Sequence, residues 1–291
     1  AEHLGRFRVN LYRQRGEIAM VVRYIKNYIP SFAELRLPET LGELIQSKYG
    51  QIFIVGATGS GKSTTQAAML NYRNETMSGH ILTIEDPIEF VHDHKRSVVD
   101  QREVGLDTHS YEAALQNALR QAPDVIAIGE IRDHATMEHA HHFAETGHLC
   151  LATLHANNAI QALERIVNFF PAEAYKYVVQ NIAVHLRAII SQRLIAGQSG
   201  RMVPAVEILI NTPRVSELIG EGRFRDLTDL MVKGEVNGMV AFDESLFRLY
   251  AAGEISEQDA LHNADSTNDL RLRIHMGKGR MDERIVRLET D

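Results

Sequence analysis

Residues 56–63 combine glycines, a lysine and a serine at a spacing that suits the binding of phosphate groups. They read Gly56-Ala57-Thr58-Gly59-Ser60-Gly61-Lys62-Ser63, and Thr64 follows directly. Glycines allow backbone N–H groups to curl around a phosphate, and the positive end of a following helix strengthens the attraction. At this spacing Lys62 would reach the β- and γ-phosphates of a nucleotide, and the hydroxyl of Ser63 would ligate Mg²⁺. We therefore expect residues 56–64 to bind ATP together with Mg²⁺.

The segments on either side of this loop support the same interpretation. An apolar stretch over residues 51–55 precedes the loop and predicts a buried strand, and residues 64–70 are compatible with a helix. A strand, a phosphate loop and a helix, in that order, form the structural setting in which this motif binds nucleotides. The alternative is a chance glycine-rich turn, which is disfavoured because the whole motif and both flanks match.

Hydrolysis of a bound nucleotide also needs carboxylates, for the metal ion and for the attacking water. Two acidic segments follow apolar strands, at residues 84–89 and 124–133. Because carboxyl ends of parallel strands meet at one edge of a sheet, both segments should lie near the phosphate loop. Glu130 is the favoured candidate in the second segment, since it follows a wholly apolar strand and a glycine. Asp133 fits the amino-terminal cap of a helix instead.

Histidines are concentrated in one part of the chain, between residues 134 and 155. They are His134, His139, His141, His142, His148 and His155. A zinc site is conceivable, but the spacing matches no standard set of zinc ligands. His155 ends an apolar strand, where it could contact a γ-phosphate. A structural histidine bonded to a nearby carbonyl is the alternative for this residue.

Strands and helices alternate through the middle of the chain, which predicts an α/β fold with a doubly wound sheet. Short apolar runs predict strands that are buried on both faces, at residues 51–55, 80–84, 124–128, 149–154 and 203–210. Helical patterns are predicted at 62–76, 110–121, 133–146 and 158–169, followed by one long helix over 172–195. The part after residue 211 is expected to be mainly helical.

The amino-terminal part has a different pattern. Residues 5–25 alternate around a turn at Arg15-Gly16, which predicts two paired strands. Pro30 and Pro38 bracket a stretch that resembles a linker, and a new helix is expected over 39–45. The chain begins at Ala1 without a methionine, and we expect that an amino-terminal portion precedes it.

Composition excludes several classes of protein. The 291 residues carry a net charge of −7, which weighs against a nucleic-acid partner. Cys150 is the single cysteine, so the sequence has no disulfide framework, and a reducing, cytoplasmic location is expected. We expect Cys150 to be buried and inert. No apolar run approaches ~18 residues, so no transmembrane segment is predicted.

Four motifs in this order resemble those of the secretion-system ATPase superfamily: a Walker A loop, an Asp box, an atypical Walker B motif and a His box. They lie at residues 56–63, 81–90, 124–133 and 147–159. Residues 83–90 and 129–133 are similar to the PilT/PilU branch of type IV pilus retraction ATPases. A single cysteine excludes the zinc module that extension motors usually carry. Residues 213–222 depart from the Ala-Ile-Arg motif of PilT-like members, so the resemblance is greater to the PilU type of accessory ATPase.

The resemblance implies an architecture and a setting. It implies a RecA-like P-loop core at 37–210 and a helical C-terminal region at 211–291, preceded at 1–36 by part of a small PAS-like α+β domain and its linker. It also implies a homohexamer at the cytoplasmic base of a type IV pilus, peripheral at the inner membrane. The implied partners are a PilT-like motor and the inner-membrane platform protein of the pilus, and the implied work is pilus retraction driven by ATP.

The resemblance also suggests roles for single residues. Glu89 would polarise the attacking water, Glu130 would position Mg²⁺ directly or through water, and His155 and His148 would link the γ-phosphate to movement between subunits. Arginines of a neighbouring subunit would contact the phosphates, and the candidates are Arg8, Arg23 and Arg120. Solvated strand charges are an equal alternative for Arg8 and Arg23. One turn before Arg120 stands Gln116, where the family tends to have another arginine.

Two other functions stay open at this point. One is an accessory partner that binds nucleotide, hydrolyses little and docks on a PilT motor ring. Its steady-state ATPase rate would distinguish it. The other is a related secretion-system ATPase or nucleic-acid translocase, which would bind DNA with a steep dependence on salt.

Overall fold

The computed structural model describes residues 6–25, 28–234 and 236–276. The strands are β1 (Arg6–Gln14), β2 (Glu17–Ile25), β3 (Gly50–Val55), β4 (Gly79–Glu85), β5 (Ser97–Glu103), β6 (Val125–Ile128), β7 (Leu149–Leu154), β8 (Leu186–Ala196) and β9 (Met202–Ile210). The helices are α1 (Phe32–Leu35), α2 (Thr40–Ile45), α3 (Lys62–Thr76), α4 (Tyr111–Ala118), α5 (His134–Glu145), α6 (Ala159–Asn168), α7 (Tyr175–His185), α8 (Pro213–Gly220), α9 (Leu227–Lys233), α10 (Phe242–Ala251), α11 (Glu257–His262) and α12 (267–276).

Seven strands form one sheet, in the order β5-β4-β6-β7-β3-β8-β9. All neighbours are parallel except β8 and β9, which pair antiparallel. Parallel order places the carboxyl ends of β3, β4, β6, β7 and β8 at one edge, which we call the carboxyl edge of the sheet. The opposite side is the amino edge. The predicted α/β fold with a doubly wound core is confirmed.

Helices cover both faces of this sheet because side chains alternate along each strand. Phe53 and Val55 of β3 point to one face and pack in a cluster with α4, α5, α6, α7 and α8. Ile52 and Ile54 point to the other face and pack with α2 and α3. Cys150 is fully buried in the first cluster, and burial raises the pKa of its thiol to about 12. The prediction of a buried thiol is confirmed.

The predicted long helix over residues 172–195 is wrong. The helix α7 ends at His185 and the strand β8 begins at Leu186, with no loop between them. The apolar run after residue 185 is therefore a strand buried between β3 and β9. The strand β5 was not predicted, because an edge strand that alternates buried and exposed residues lacks a continuous apolar run.

Helix ends follow local capping rules. The side chain of Asp133 accepts a hydrogen bond from the backbone of Thr136, as predicted, and caps α5. Asn158 caps α6 in the same way through Gln161. The described residues after β9 are mainly helical, as expected, and α10, α11 and α12 pack on β8 and β9 in a third apolar cluster. The domain limits at residues 36 and 210 stay a prediction.

The two amino-terminal strands pair with each other and with no other strand of the described residues. They form an antiparallel hairpin around Arg15 and Gly16, as predicted. Both faces of the hairpin are largely exposed. Among the helices of the described ranges, none combines the length and the hydropathy needed to cross a bilayer.

Candidate functional site

The loop between β3 and α3 has two positions, 56 and 61, at which only glycine fits. Gly56 and Gly61 have φ angles of 157° and 90°. A Cβ atom on Gly56 would lie 2.5 Å from the carbonyl oxygen of Gln192, and one on Gly61 would lie 2.8 Å from its side-chain nitrogen. The strand β8 therefore packs directly behind the loop. The hydroxyl of Thr65 also donates to the amide oxygen of Gln192, at 2.6 Å.

Lys62 opens α3 and turns its side chain back toward the loop. Its Nζ donates to the carbonyl oxygens of Gly56 at 2.8 Å and of Ala57 at 2.9 Å. Burial lowers the pKa of Lys62, and the charges of Glu130 and Glu89 oppose that change. The ammonium group is thus held at the base of the loop, beside two carboxylates.

A cleft of about 290 Å³ opens at the carboxyl edge of the sheet, above the loop. It brings together the phosphate loop, both acidic segments and His155. Its lining residues are Thr58, Gly59, Lys62, Ser63, Gln66, Glu85, Asp86, Pro87, Glu89, Tyr111, Gly129, Glu130, Arg132, Thr153 and His155. The predicted residues Lys62, Ser63, Glu89, Glu130 and His155 therefore share one cavity.

Glu130 is held by partners on both of its oxygens. The Nε2 atom of His155 lies 2.7 Å from Oε1, and a guanidinium nitrogen of Arg132 lies 2.6 Å from Oε2. Burial, followed by the charge of Lys62, lowers the pKa of His155. The lowered pKa favours the neutral imidazole, whose Nε2 atom faces the carboxylate. The side chain of Glu130 is only 16% exposed, which strengthens both contacts.

The turn that presents Glu130 is fixed by its neighbouring strands. The backbone N–H of Gly129 donates to the carbonyl of Ile84 at 2.8 Å, and the hydroxyl of Thr153 donates to the carbonyl of Gly129 at 2.6 Å. A side chain at position 129 would press on the Tyr111 hydroxyl and on the Glu85 backbone, at 3.0 and 3.2 Å. Glycine therefore lets β4 and α4 approach the turn closely.

The first acidic segment contains two carboxylates in different environments. Glu85 accepts from the hydroxyl of Thr83 at 2.7 Å and from the amide of Gln101 at 3.1 Å, and burial raises its pKa. Its other oxygen accepts from the backbone N–H of Glu89 at 3.4 Å. Glu89 is exposed to the cleft, and within the described ranges its carboxylate has no hydrogen-bond or ion-pair partner. Glu85 thus orients the backbone that carries Glu89.

The structure does not bring His148 into this cleft. His148 precedes β7 at the amino edge, and its Nδ1 lies 3.0 Å from the hydroxyl of Thr146. Six strand residues separate it from His155, so the two positions are about 23 Å apart at roughly 3.3 Å per residue step. A direct role for His148 in the cleft of its own chain is therefore not supported.

The three arginine candidates also lie outside the cleft of their own chain. Arg120 is exposed in a short turn after α4, near the amino edge. Arg8 and Arg23 are directly opposite each other in the hairpin and exposed on one face. Within the described residues neither has an acidic partner. Like charges in directly opposed positions repel each other, so this pair would be stabilised by an anion.

Sequence reasoning overlooked several residues of the cleft. Arg132, Tyr111, Thr153 and Gln66 reach it from four different elements. Arg132 lies two residues after Glu130 in the sequence. The alternation of charges in that segment could have indicated that Arg132 belongs to the cleft. Burial raises the pKa of Tyr111, which keeps its hydroxyl protonated. The positions of Thr153 and Gln66 in the cleft can be seen only from the packing of strands and helices in the structure.

The side chains of the cleft fit a nucleotide with Mg²⁺. The donor set is a hydroxyl and several carboxylates, and oxygen ligands are those that Mg²⁺ prefers. The glycine backbone and Lys62 suit phosphate groups. A second cavity of about 280 Å³ lies beside the loop, between the segment at α1 and the strands β8 and β9. Gly61, Thr64 and Thr65 line it, so both cavities border the start of α3.

The chain matches one protein family and is similar to several known proteins. The family described as "Type II/IV secretion system protein" matches residues 11–222. The chain is similar to the type IV pilus ATPase PilU of Pseudomonas aeruginosa, with 54% identity over 95% of this chain and 73% of that protein. It is also similar to the PilT protein of that species, named a type IV pilus retraction ATPase, with 42% identity over 90% of this chain and 76% of that protein.

A solved structure supports the same similarity. The crystal structure of the pilus retraction motor PilT with bound ADP superposes with a TM-score of 0.88 and 44% identity. The match covers 93% of this chain and 77% of that one.

Proposed function

The chain belongs to the family of type II/IV secretion system proteins, and from that premise we propose how it works: as an ATPase of the PilT/PilU type that promotes retraction of a type IV pilus. The observation that carries this proposal is the single cleft in which Lys62, Ser63, Glu130 and His155 meet. The carboxylates of this cleft provide what hydrolysis requires in addition to nucleotide binding.

In this proposal residues 56–64 hold the phosphates, with Lys62 supplying the positive charge that the β- and γ-phosphates need. Glu89 polarises the attacking water, because its carboxylate is exposed to the cleft while the buried Glu85 fixes its backbone. Ser63 and Glu130 would hold Mg²⁺, Glu130 directly or through water, and the ion would supply positive charge to the phosphate oxygens. The base occupies the second cavity, beside Thr64 and Thr65.

His155 is proposed to report the presence of the γ-phosphate. In the structure its Nε2 atom lies 2.7 Å from a carboxylate oxygen of Glu130. A γ-phosphate oxygen in the cleft would compete for an N–H at this atom, and its loss on hydrolysis would return the proton donor to Glu130. The position of the segment that follows His155 would then depend on the state of the nucleotide.

The active site is proposed to be shared between subunits of a hexamer at the cytoplasmic base of the pilus. Arg8 and Arg23 form an exposed cationic pair outside the cleft of their own chain, and a neighbour's cleft offers anions. An arginine supplied by another subunit contributes roughly 10³–10⁵ to the rate in related phosphoryl-transfer sites. Arg120 is a weaker candidate for the same kind of contact. The inner-membrane platform protein and a PilT-like motor are the proposed partners.

Mixed rings test the shared site. Lys62→Ala and Arg23→Ala subunits are each expected to be inactive alone, and mixing them should restore part of the ATPase rate. Mixing Lys62→Ala with Glu130→Gln is the matched control, because both residues belong to the same cleft and no mixed site has both intact. If neither mixture recovered ATPase activity, in rings shown to contain both variants, the result would argue against a shared site.

A cellular experiment tests the biological role. Deletion of the gene should lengthen pili and reduce twitching, and a Lys62→Ala allele should not complement the deletion. Full complementation by that allele would show that the protein does not need to hydrolyse ATP. It would then favour the alternative of a partner that docks on a motor ring.

A further inference from the structure

The segment from His155 to Ala159 is tied to two neighbouring strands by two charged side chains. A guanidinium nitrogen of Arg193, on β8, donates to the carbonyl oxygen of Asn157 at 3.3 Å. The carboxylate of Glu207, on β9, accepts from the backbone N–H of Ala159 at 2.7 Å. These two contacts lie on either side of Asn158, the residue that caps α6. The backbone that carries His155 out of β7 is therefore held at its far end.

Glu207 is itself fixed within the sheet. It lies directly opposite Ser191 on β8, whose hydroxyl donates to the same carboxylate oxygen at 2.8 Å. Its side chain is buried, at 4% exposure. A buried carboxylate that accepts the first free N–H of a helix stabilises that end of the helix. Glu207 thus fixes the start of α6 relative to the sheet.

Arg193 extends in the opposite direction as well. Another of its nitrogens donates to the carbonyl oxygen of Asn263, and it pairs with Asp265 at 2.7 Å. Its guanidinium carbon lies 3.9 Å from the centre of the Phe242 ring. These partners all belong to the C-terminal helical part, in α10 and in the connection from α11 to α12. One guanidinium therefore bridges the His155 segment and the C-terminal helices.

A planar guanidinium is suited to this task. It presents five donors in fixed directions and stacks on an aromatic ring, whereas a lysine ammonium offers a single point of charge. Asp243 on α10 holds the same connection through the backbone N–H groups of Asp265 and Ser266, at 2.8 and 2.9 Å. The partners of Arg193 in the C-terminal part are thus themselves held in place.

We propose that Arg193 and Glu207 are positioning residues for His155, and that Arg193 joins the His155 segment mechanically to the C-terminal helices. This inference rests on the role proposed above for His155. Neither residue lines the cleft, so both act through the segment and not on the nucleotide. Because coupling is reciprocal, a displacement of the C-terminal helices would also displace His155.

A double-mutant cycle tests the proposal on the full chain. Arg193→Ala should lower kcat of ATP hydrolysis about tenfold while KM changes by less than about twofold, since misplacement of a catalytic group by 1 Å costs up to about 10²-fold. In a His155→Ala background the same substitution should lower kcat by less than about twofold, because the group it positions is gone. Arg193→Lys should behave like Arg193→Ala.

Arg73→Ala is the matched control. Arg73 is a buried arginine that also donates to two backbone carbonyls, those of Ile45 and Ser47, but it lies far from His155. It should lower the melting temperature and change kcat by the same factor in both backgrounds. An equal loss from Arg193→Ala in both backgrounds would overturn the proposal and leave the role of His155 intact. If His155→Ala itself left kcat unchanged, both this proposal and the proposed role of His155 would be overturned.

Hydrogen exchange provides a readout that does not depend on activity. Glu207→Met, which keeps the side-chain length but has no oxygen acceptor, and Arg193→Lys are conservative enough to test if the alanine variant fails to fold. Deuterium uptake in a peptide covering residues 155–163 should increase in both variants, because the amide of Ala159 and the turn before it lose their anchors. Uptake equal to that of the parent protein in this peptide would count against the proposed anchoring.

Discussion

The two ends of β7 carry one histidine each, and the structure gives them different surroundings. His155, at the carboxyl end, lies 2.7 Å from Glu130 and shares a cleft with Lys62. His148, at the amino end, contacts the hydroxyl of Thr146. Nearby on the amino edge, His141 is buried, with its Nδ1 2.8 Å from the amide nitrogen of Gln51. One edge combines charges of both signs around a cavity, and the other packs histidines among amides and aromatic rings.

This difference shows that strand direction, more than residue type, decides what a histidine can do here. Parallel strands deliver their carboxyl ends, and the loops that follow them, to one edge of the sheet. A histidine before the strand and one after it lie close in the sequence but on opposite sides of the molecule. Substitutions at the carboxyl edge should therefore change catalysis, and those at the amino edge should change stability.

The largest effect expected at the carboxyl edge is that of Lys62→Ala. Removal of the charge at the base of the phosphate loop should abolish measurable ATP hydrolysis, a loss of at least about 10³-fold, and weaken nucleotide binding. Steady-state ATPase assays and nucleotide titration measure both. Lys95→Ala is the matched control, because Lys95 forms an exposed pair with Glu75 outside the cleft. Near-parent turnover in Lys62→Ala would remove the basis for assigning the cleft.

The second effect separates the two carboxylates of the cleft. Glu89→Gln should still bind the nucleotide with Mg²⁺ but lower kcat by about 10²–10⁴-fold. Glu130→Gln should also shift the Mg²⁺ concentration at which the rate is highest. Glu145→Gln, at the end of α5 toward the amino edge, should leave both unchanged. If Glu89→Gln shifts the Mg²⁺ optimum and Glu130→Gln does not, the two roles are exchanged.

The third prediction compares the two ends of β7 directly. His155→Ala should lower kcat by about 10–100-fold, the range for loss of a positioned hydrogen-bond donor, while the fold is kept. His148→Ala should leave kcat within about twofold. ATPase assays and thermal melts on the pair give the answer, and equal losses of kcat in both variants would contradict the contrast between the edges.

The smallest effect is on the pH dependence of the free energy of unfolding, which has opposite signs at the two edges of the sheet. Burial raises the pKa of Glu207, beside β8, from 4.5 to about 7. Asp265 also raises it, and Arg193 lowers it. Between those pH values the unfolded chain releases a proton that the folded chain retains. The free energy of unfolding therefore falls as the pH rises from about 4.5 to about 7.

At the amino edge the dependence is reversed. Burial, followed by the charge of His185, lowers the pKa of His141 from 6.5 to about 4, while Asn181 opposes the change. The unfolded chain takes up a proton that the folded chain excludes, so stability falls as the pH falls from about 6.5 to about 4.

Melting temperatures between pH 4 and pH 8 test both signs. Relative to the parent, Glu207→Gln should gain stability as the pH rises, and His141→Gln should gain it as the pH falls, each by up to about 3 kcal/mol. Differences that do not change with pH would show that these two groups do not contribute to the pH dependence.

The sequence predicted the parts of this molecule in which local and global signals agree. The phosphate loop, the apolar strands β3, β4, β6, β7 and β9 and the cap of α5 each follow from residue pattern. The sequence did not predict β8, because a helix and a strand that are both apolar and joined without glycine or proline form one continuous hydrophobic run. It did not predict β5, because an edge strand has no continuous apolar signal.

The residues of the site divide in the same way. Lys62, Ser63 and Glu130 belong to motifs that can be read along the chain. Thr153 and Gln66 reach the cleft only because strands from distant parts of the sequence become neighbours. The assignment of His148 shows the opposite problem, since a motif that spans a whole strand includes residues at both of its ends.

The direct join of α7 to β8 has a consequence for the transmission of force. A flexible loop between two elements can absorb a displacement of one of them. No such loop is present here, because α7 ends at His185 and β8 begins at Leu186. The amide of Asn211 further stiffens the junction by donating to the carbonyls of Ala183 and Leu186, both at 2.9 Å. A displacement of α7, whose outer surface exposes Tyr177 and Val184, would therefore be passed directly to β8. The outer surface of α7 thus has a short, continuous backbone connection to the strand that lies behind the phosphate loop.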